Sequence, residues 1–525
     1  MNMIGGSTFT GNSGVTYTSG LPQNVGNGDV RLALMNGWSP SGTIYIPNSY
    51  ALAYPGITNV QKVMASPPTV AISTTNPAAT GQEYNVCSGT ATPSLDLSNF
   101  SITGAGNAVQ SGTANPDWSF AAFNSVTANN NPAIQSGSNL VRVSVIFNSA
   151  QAAPLIAFRV KGLTGNITAK VNDQYVSLTP TAIPNNGVSN YYSLTFAAAG
   201  TYRIDVIADN VLSNFRFAGC WTGNKTDTVQ PATIRGGKRI LVMGDSITSA
   251  TGAPNQSAGY VQCFAEYMGY DDVWPSGVGG VGILNAGASS TYQNHVQQDV
   301  IAFNPDEVII AGFYNDNGFT GAPFYTALQQ LVLTIQSSLP GCKIYIFGPY
   351  APYGAGYQIG AATAAGFVAQ RVMAAQLVAA MNSPLVRLLD PNTLPFYSSS
   401  NIAEAPLTYS ITASAAAGAT TLSTSANLNA GAQYQFADGS RFRVLSISGL
   451  TATIDKNPNA QASGATFVQC GTCWISGNGK SGATTGVGNA DNYISSDGIH
   501  PNALGHLNLG ITLGRLYIAA QSSEG

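Results

Sequence analysis

Arg239-Ile240-Leu241-Val242-Met243-Gly244-Asp245-Ser246-Ile247-Thr248 is the stretch where this chain changes architecture. Positions 239–243 read as a short apolar strand, Gly244 permits a sharp turn, and Ser246 falls at the strand's carboxyl end. Downstream, the hydrophobic period predicts helices over 257–268, 293–303, 324–339 and 361–381, and strands over 307–312, 343–347 and 385–389. Short apolar strands alternating with helices predict a parallel sheet covered on both faces. The expected site is a crevice outside the carboxyl ends of those strands.

Upstream the pattern is different. From about 83 to 221 the chain alternates with period two, as in Val141-Arg142-Val143-Ser144-Val145 and Tyr202-Arg203-Ile204-Asp205-Val206, with turn signals such as Pro184-Asn185-Asn186-Gly187. This predicts a β-sandwich of jelly-roll type over 83–235, a candidate carbohydrate-binding domain. Residues 1–65 are rich in Gly, Ser, Thr and Asn and read as an extended or β-structured arm; 66–82, opening on Ser66-Pro67-Pro68, reads as a linker. A third unit begins where the α/β pattern stops. Phe442-Arg443-Val444-Leu445-Ser446-Ile447 and Thr451-Ala452-Thr453-Ile454 place a small all-β insertion over 406–467, inside a domain spanning 236–525 that resumes with a final helix over 503–519.

Charged residues make up only 8% of the 525, and the net charge is −3. With no basic run, nucleic acid and anionic membrane are poor partners. The surface falls to Ser, Thr, Asn, Gln, Gly and Tyr, which suits carbohydrate. The start of the chain has neither a basic nor an apolar signal-peptide region. No run of about 18 apolar residues predicts a membrane span; the Ala-rich stretch 361–381 is broken by Gln370, Arg371 and Gln376. Among six cysteines, Cys263 and Cys342 read as core thiols. Cys87 and Cys220 flank the β-rich segment, which leaves a disulfide open in an oxidising compartment. Cys470 and Cys473 form a lone C-x-x-C, short of the four ligands of a structural zinc site.

The chemistry centres on a scarce residue. There are three histidines, His295, His500 and His506. Asp497-Gly498-Ile499-His500 sets an aspartate three residues before one of them, so a short turn aims both side chains at one place. The Asp accepts from one imidazole nitrogen and leaves the other facing a serine, and Ser246 is the serine on a strand-end turn. Gly277-Val278-Gly279-Gly280-Val281-Gly282 matches G-x-G-x-x-G. The dinucleotide reading is set aside, because Trp274-Pro275 interrupts any leading strand and the loop is not the first βα turn. The other reading is a bare backbone N–H turned toward an oxyanion. Asn315-Asp316, after the strand over 307–312, offers a side-chain amide to the same oxyanion. His295 reads as a solvated helix residue, and His506 as one that caps or packs in the last helix region.

Together these blocks resemble the SGNH (GDSL-type) hydrolase family. Gly244-Asp245-Ser246-Ile247 is similar to its first block, Gly280 to its second-block glycine, Phe313-Tyr314-Asn315-Asp316 to its G-x-N-D block, and Asp497 to His506 to its D-x-x-H block. Phe313 stands where that family has glycine, with Gly312 one place early, and Gly279 competes with Gly280. The resemblance covers about 238–400 and 470–521. It implies a three-layer, flavodoxin-like α/β domain and a serine esterase with Ser246 as nucleophile, His500 as base and Asp497 as orienter. The oxyanion hole would be the Ser246 and Gly280 N–H groups with the Asn315 side chain. No metal or cofactor is implied. The α/β-hydrolase alternative expects G-x-S-x-G, which is missing here. Joined to the low charge and the sandwich, the resemblance implies removal of O-acetyl groups from a polysaccharide, facing the outside of a cell. The alternative is a phage-tail receptor-binding or structural protein whose hydrolase domain mainly binds glycan; homo-oligomeric and virion partners both stay open.

Overall fold

Five short strands pair in parallel: β1 Ile240–Gly244, β2 Val273–Gly277, β3 Glu307–Ala311, β4 Lys343–Phe347 and β5 Val386–Leu389, in the order β2-β1-β3-β4-β5. This computed structural model describes residues 8–10, 16–18, 61–88, 94–104, 109–110, 118–119, 140–161, 165–184, 188–209, 216–287, 290–316, 318–319, 321–348, 365–390, 408–428, 433–438, 440–454, 457, 459–469, 494–497 and 499–522. The helices of the α/β unit are α1 Tyr260–Met268, α2 Tyr292–Val296, α3 Ala322–Ser338, α4 Ala365–Met381 and α5 Ala503–Ser522.

Alternation along each strand decides which helix covers which face. Leu241, Met243, Val308, Ile310, Ile344 and Ile346 share a core with α2, α3 and α4. Ile240, Val242, Ile309, Ala311, Tyr345 and Phe347 share the opposite core with α1 and α5. Each fully buried aliphatic side chain contributes about 1.5–3 kcal/mol, so a one-residue slip of register would move every such group to the wrong layer. The strand order reverses between β1 and β3, which puts the switch-point crevice at their carboxyl ends.

Three sequence expectations need correction. Trp274-Pro275 does not interrupt a strand: both lie inside β2. The strand tolerates a proline because β2 is the sheet edge, where fewer backbone N–H groups need partners. The helix expected over 293–303 is a short α2 running into a π turn, Gln297–Ile301. Residues 66–82 are not a bare linker, since Thr69–Ser73 pairs antiparallel with Asn190–Thr195. Val70 and Ile72 alternate inward there, enough for an edge strand despite the flanking prolines.

Before the parallel sheet, two antiparallel sheets face one core. One runs Gln174–Tyr175, Asn166–Val171, Gly200–Asp209, Val141–Ser149, Thr228–Pro231; the other includes Thr69–Ser73, Asn190–Thr195, Leu155–Lys161 and Arg216–Thr222. Val143, Val145, Phe147, Ile156, Phe158, Ile204, Val206 and Phe217 fill the space between them. Cys220 is a buried free thiol in that core, so the disulfide left open with Cys87 is not formed. Cys263 and Cys342 are also buried and free. Cys470 and Cys473 lie outside the described residues.

The antiparallel sheets are tied to the α/β unit by buried charge. Asp271, just past α1, accepts from Arg142 Nη1 at 2.9 Å, Arg203 Nη2 at 2.9 Å and Arg235 Nη2 at 2.8 Å. Burial works to raise its carboxyl, but these guanidinium groups hold it down at about 2. Lys170 pairs with Glu266 of α1 at 2.6 Å. Leu140 and Ile207 extend the contact by joining the core beside Trp274 of β2. The insertion forms its own six-stranded sheet, from Thr408–Ser410 to Thr466–Gln469, around Tyr434, Phe442 and Phe467.

Candidate active site

β1 delivers Gly244-Asp245-Ser246 to the switch point. The turn beyond it closes on itself: Asp245 Oδ1 accepts from the Ile247 N–H at 2.9 Å, and the Thr251 N–H donates to the Ser246 carbonyl at 3.0 Å. The second turn comes from the far end of the chain. Ile494 bridges Pro501, and the Ser495 N–H donates to the His500 carbonyl at 2.8 Å. The two turns touch at Gly252, which has φ +91°; a Cβ there would sit 2.3 Å from the Pro501 carbonyl oxygen and 2.9 Å from His500 Cβ. His500 Nε2 thus lies 2.8 Å from Ser246 Oγ. On its other side, His500 Nδ1–H donates to Asp497 Oδ2 at 2.6 Å. Ser246, His500 and Asp497, separated by 254 and 3 residues, form one continuous chain of polar contacts.

Asp497 is held from several sides. Its Oδ1 accepts from Ser495 Oγ at 2.6 Å, the Ile499 N–H at 2.9 Å and the His500 N–H at 3.0 Å. Burial works to raise its carboxyl, and these donors override that and hold it well below the usual carboxylate range.

The oxyanion candidates converge from two further strand ends. After β2, the Val281 N–H donates to the Val278 carbonyl, closing a turn whose third residue, Gly280, has φ +76°. A turn of that kind needs positive φ there, which is the glycine's role. Among the described residues, the N–H groups of Ser246, Gly279 and Gly280 donate to no protein acceptor. Asn315 follows β3 in the 3-10 turn Tyr314–Asp316, and one hydrogen of its Nδ2 donates to the Val281 carbonyl at 2.9 Å. That bond ties the Asn315 amide to the loop carrying Gly280 and leaves its second hydrogen for another acceptor.

Residues 242–404 match the GDSL-like Lipase/Acylhydrolase family. The chain carries a GDSL-type hydrolase domain. It is a carboxylic-ester hydrolase. Solved structures that it resembles include a family two carbohydrate esterase from Clostridium thermocellum, in complex with cellohexaose, with TM-score 0.38 and 17% identity over 48% of this chain and 82% of that one. A family two carbohydrate esterase from Cellvibrio japonicus gives 0.38 and 13%, over 61% and 89%. An acetyl xylan esterase from the rumen bacterium Butyrivibrio proteoclasticus gives 0.37 and 11%, over 56% and 86%. No curated protein sequence matches this chain.

Other residues of the hydrolase domain emerge only from the structure. Asp316 gathers the loop after β2, its carboxylate accepting from the N–H groups of Ile283, Leu284 and Asn285 at 2.6, 2.9 and 2.8 Å. Asp316 is therefore what fixes the Gly280 loop against the Asn315 turn; its place beside Asn315 in the Asn-Asp pair was the one available signal. Phe313, standing where the family has glycine, has φ +73°, next to Gly312 at +110°. The left-handed backbone costs a non-glycine residue about 1–2 kcal/mol. Complete burial of the ring, edge-on to Phe324 at 5.6 Å, offsets that cost.

Asp245 is fully buried, and burial pushes its carboxyl up to about 6. Its Oδ2 has no partner among the described residues. His506 is also buried: its Nε2–H donates to the Thr251 carbonyl at 2.9 Å and its Nδ1 accepts from the Tyr260 N–H at 3.3 Å. It packs within the last helix as expected, clamping the nucleophile loop to α1, and burial lowers its imidazole to about 4. His295 corrects its sequence reading: it is 3% exposed, beside Asp299 at 3.7 Å, and burial lowers its pKa.

Proposed function

We propose that the hydrolase removes O-acetyl groups from a polysaccharide with Ser246 as nucleophile, His500 as general base and Asp497 as orienter. The observation that carries this reading is the unbroken path from Ser246 Oγ through His500 to Asp497 Oδ2, 2.8 and 2.6 Å in its two steps. Ser246 Oγ attacks the acetyl carbonyl while His500 Nε2 takes its proton. The tetrahedral oxyanion faces the Ser246 and Gly280 N–H groups and the spare Asn315 hydrogen. The imidazolium then gives the proton to the departing sugar oxygen as the ester C–O bond breaks, leaving an acetyl-serine. Water, deprotonated by the same nitrogen, attacks the acetyl carbon; the bond to Ser246 Oγ breaks, that oxygen takes the proton back from His500, and acetate leaves. Polysaccharide fits the 8% charge content and the supply of 24 tyrosines for sugar faces. We read the two antiparallel sheets as a jelly-roll sandwich that holds glycan, in a protein that acts outside the cell.

Acetate release from a panel of acetylated bacterial and plant polysaccharides tests this, with Ser246→Ala alongside. Wild-type protein should release acetate from at least one polymer. Loss of a triad member costs several orders of magnitude in rate, so the variant should fall by about 10⁴-fold or more while still folding. Near wild-type turnover in a folded Ser246→Ala protein overturns the assignment. The alternative, a virion-associated glycan binder, predicts that polymer is retained without acetate release; the two-sheet unit fused to the hydrolase is what favours keeping it.

A further inference from the structure

The orienting aspartate poses a mechanical question. The Asp497 side chain is 46% exposed, so water competes for both of its oxygens. A carboxylate in that position is free to rotate away from the imidazole unless other donors hold it. The Ile499 and His500 N–H groups come from the same tight turn and grip Oδ1 from one side. Ser495 supplies a third donor from a different strand of the loop, its Oγ 2.6 Å from that oxygen. The Ser495 backbone is itself fixed to the base, because its N–H donates to the His500 carbonyl at 2.8 Å beside the Ile494–Pro501 bridge. Ser495, Asp497 and His500 therefore form a closed ring: Ser495 Oγ to Asp497 Oδ1, Asp497 Oδ2 to His500 Nδ1, and His500 carbonyl back to Ser495 N–H.

We propose that Ser495 is a positioning residue of the hydrolase, whose hydroxyl locks the exposed Asp497 carboxylate so that Oδ2 stays on His500 Nδ1. This rests on the triad reading above. Occupying Oδ1 with three donors leaves Oδ2 as the oxygen that meets the imidazole. That bond keeps the proton on Nδ1 and the lone pair of Nε2 toward Ser246 Oγ. The Ser495 hydroxyl hydrogen is spent on Asp497, so its loss should act on the rate and not on binding.

The test uses the full chain with an activated acetate ester and compares Ser495→Ala with Ser495→Thr. Ser495→Ala should lower kcat about tenfold with KM unchanged. Ser495→Thr, which keeps the hydroxyl, should recover to within about twofold of wild type. Thermal midpoints of both variants check that neither is simply misfolded, and a low-field proton resonance from His500 Nδ1 should broaden or vanish in Ser495→Ala and return in Ser495→Thr. The proposal is overturned if Ser495→Ala keeps kcat within twofold, if the loss falls on KM, or if Ser495→Thr is as impaired as Ser495→Ala in a folded protein. Failure of the triad reading itself shows separately, as activity persisting in Ser246→Ala.

Discussion

The nucleophile turn and the base turn each carry an aspartate, and the two are held in opposite ways. Asp245 sits under Ser246, 1% exposed, with one oxygen accepting from Ile247 and the other without a partner among the described residues. Burial pushes its carboxyl up to about 6. Asp497, on the base turn, is open to water, yet Ser495, Ile499 and His500 hold its carboxyl below the usual range against what burial it has. The buried aspartate accepts through one oxygen, and the exposed one accepts through both. Asp497 is the carboxylate held ionised far below neutral pH, and it meets His500 within hydrogen-bond distance.

The sharpest way to break this contrast is to neutralise each carboxylate in turn. Asp497→Asn should cost about 10³–10⁴ in kcat, because an amide there favours the wrong imidazole tautomer. Asp245→Asn, which replaces a buried acid by a neutral group of the same shape, should cost less than about tenfold. Equal losses, measured on an activated acetate ester, would show that the two aspartates share a role. The next effect concerns the oxyanion side. Asn315→Ala should lower kcat by about 10²–10³ with KM little changed. A loss below fivefold would mean that the Asn315 amide serves only to tie the Val281 loop.

A smaller effect is read in stability against pH. His506 titrates at about 4 when folded, against 6.5 for the free group. The unfolded chain therefore binds a proton that the folded chain refuses, and about 3 kcal/mol is lost as pH falls from about 6.5 to 4. Asp245 has the opposite sign, since its folded value of about 6 lies above 3.8. Its contribution is complete below about 3.8 and is lost as pH rises toward 6, again by about 3 kcal/mol. The two nearly cancel in the wild type. Urea unfolding at pH 4 and 6.5 should show Asp245→Asn losing about 3 kcal/mol more than wild type on acidification; parallel behaviour of the two proteins would place the Asp245 titration elsewhere. The smallest effect is expected from the insertion. The carboxyl end of β5, at Leu389, lies on the same edge of the sheet as Ser246, and the insertion begins shortly after it. Replacing 406–467 with a short Gly/Ser linker should leave turnover of a small acetate ester unchanged and reduce deacetylation of polymer. Loss of neither activity removes the insertion from substrate choice.

The legible parts of the sequence were those whose signal is local. β1, β3 and β4 are short runs of apolar residues, and Asp497 and His500 stand three apart, so composition and spacing alone expose them. β2 was hidden because Trp274-Pro275 reads as a break unless the strand is known to be an edge. Thr69–Ser73 was hidden by its Pro- and Thr-rich surroundings, since pairing with Asn190–Thr195 is decided about 120 residues away. His295 was read as solvated because its residue type does not signal burial; α2 turns it inward, beside Asp299 of the π turn that follows. Asp316 is marked only by its place beside Asn315, and Ser495 acts through a single hydroxyl that leaves no pattern in residue type.

Asp271 gives the molecule a property that its division into units conceals. A protease or an engineer who cuts the chain near residue 235 separates groups that are paired across the contact between the antiparallel sheets and the α/β unit. The cut strands Asp271 without its guanidinium partners Arg142, Arg203 and Arg235 and leaves Glu266 without Lys170. The cut also bares the apolar face at Trp274 that Leu140 and Ile207 cover, so the hydrolase unit alone should be less stable than the full chain. Transplanting this hydrolase onto another scaffold therefore means carrying the antiparallel sheets with it, or giving Trp274 a new apolar neighbour while Asp271 and Glu266 are left to water.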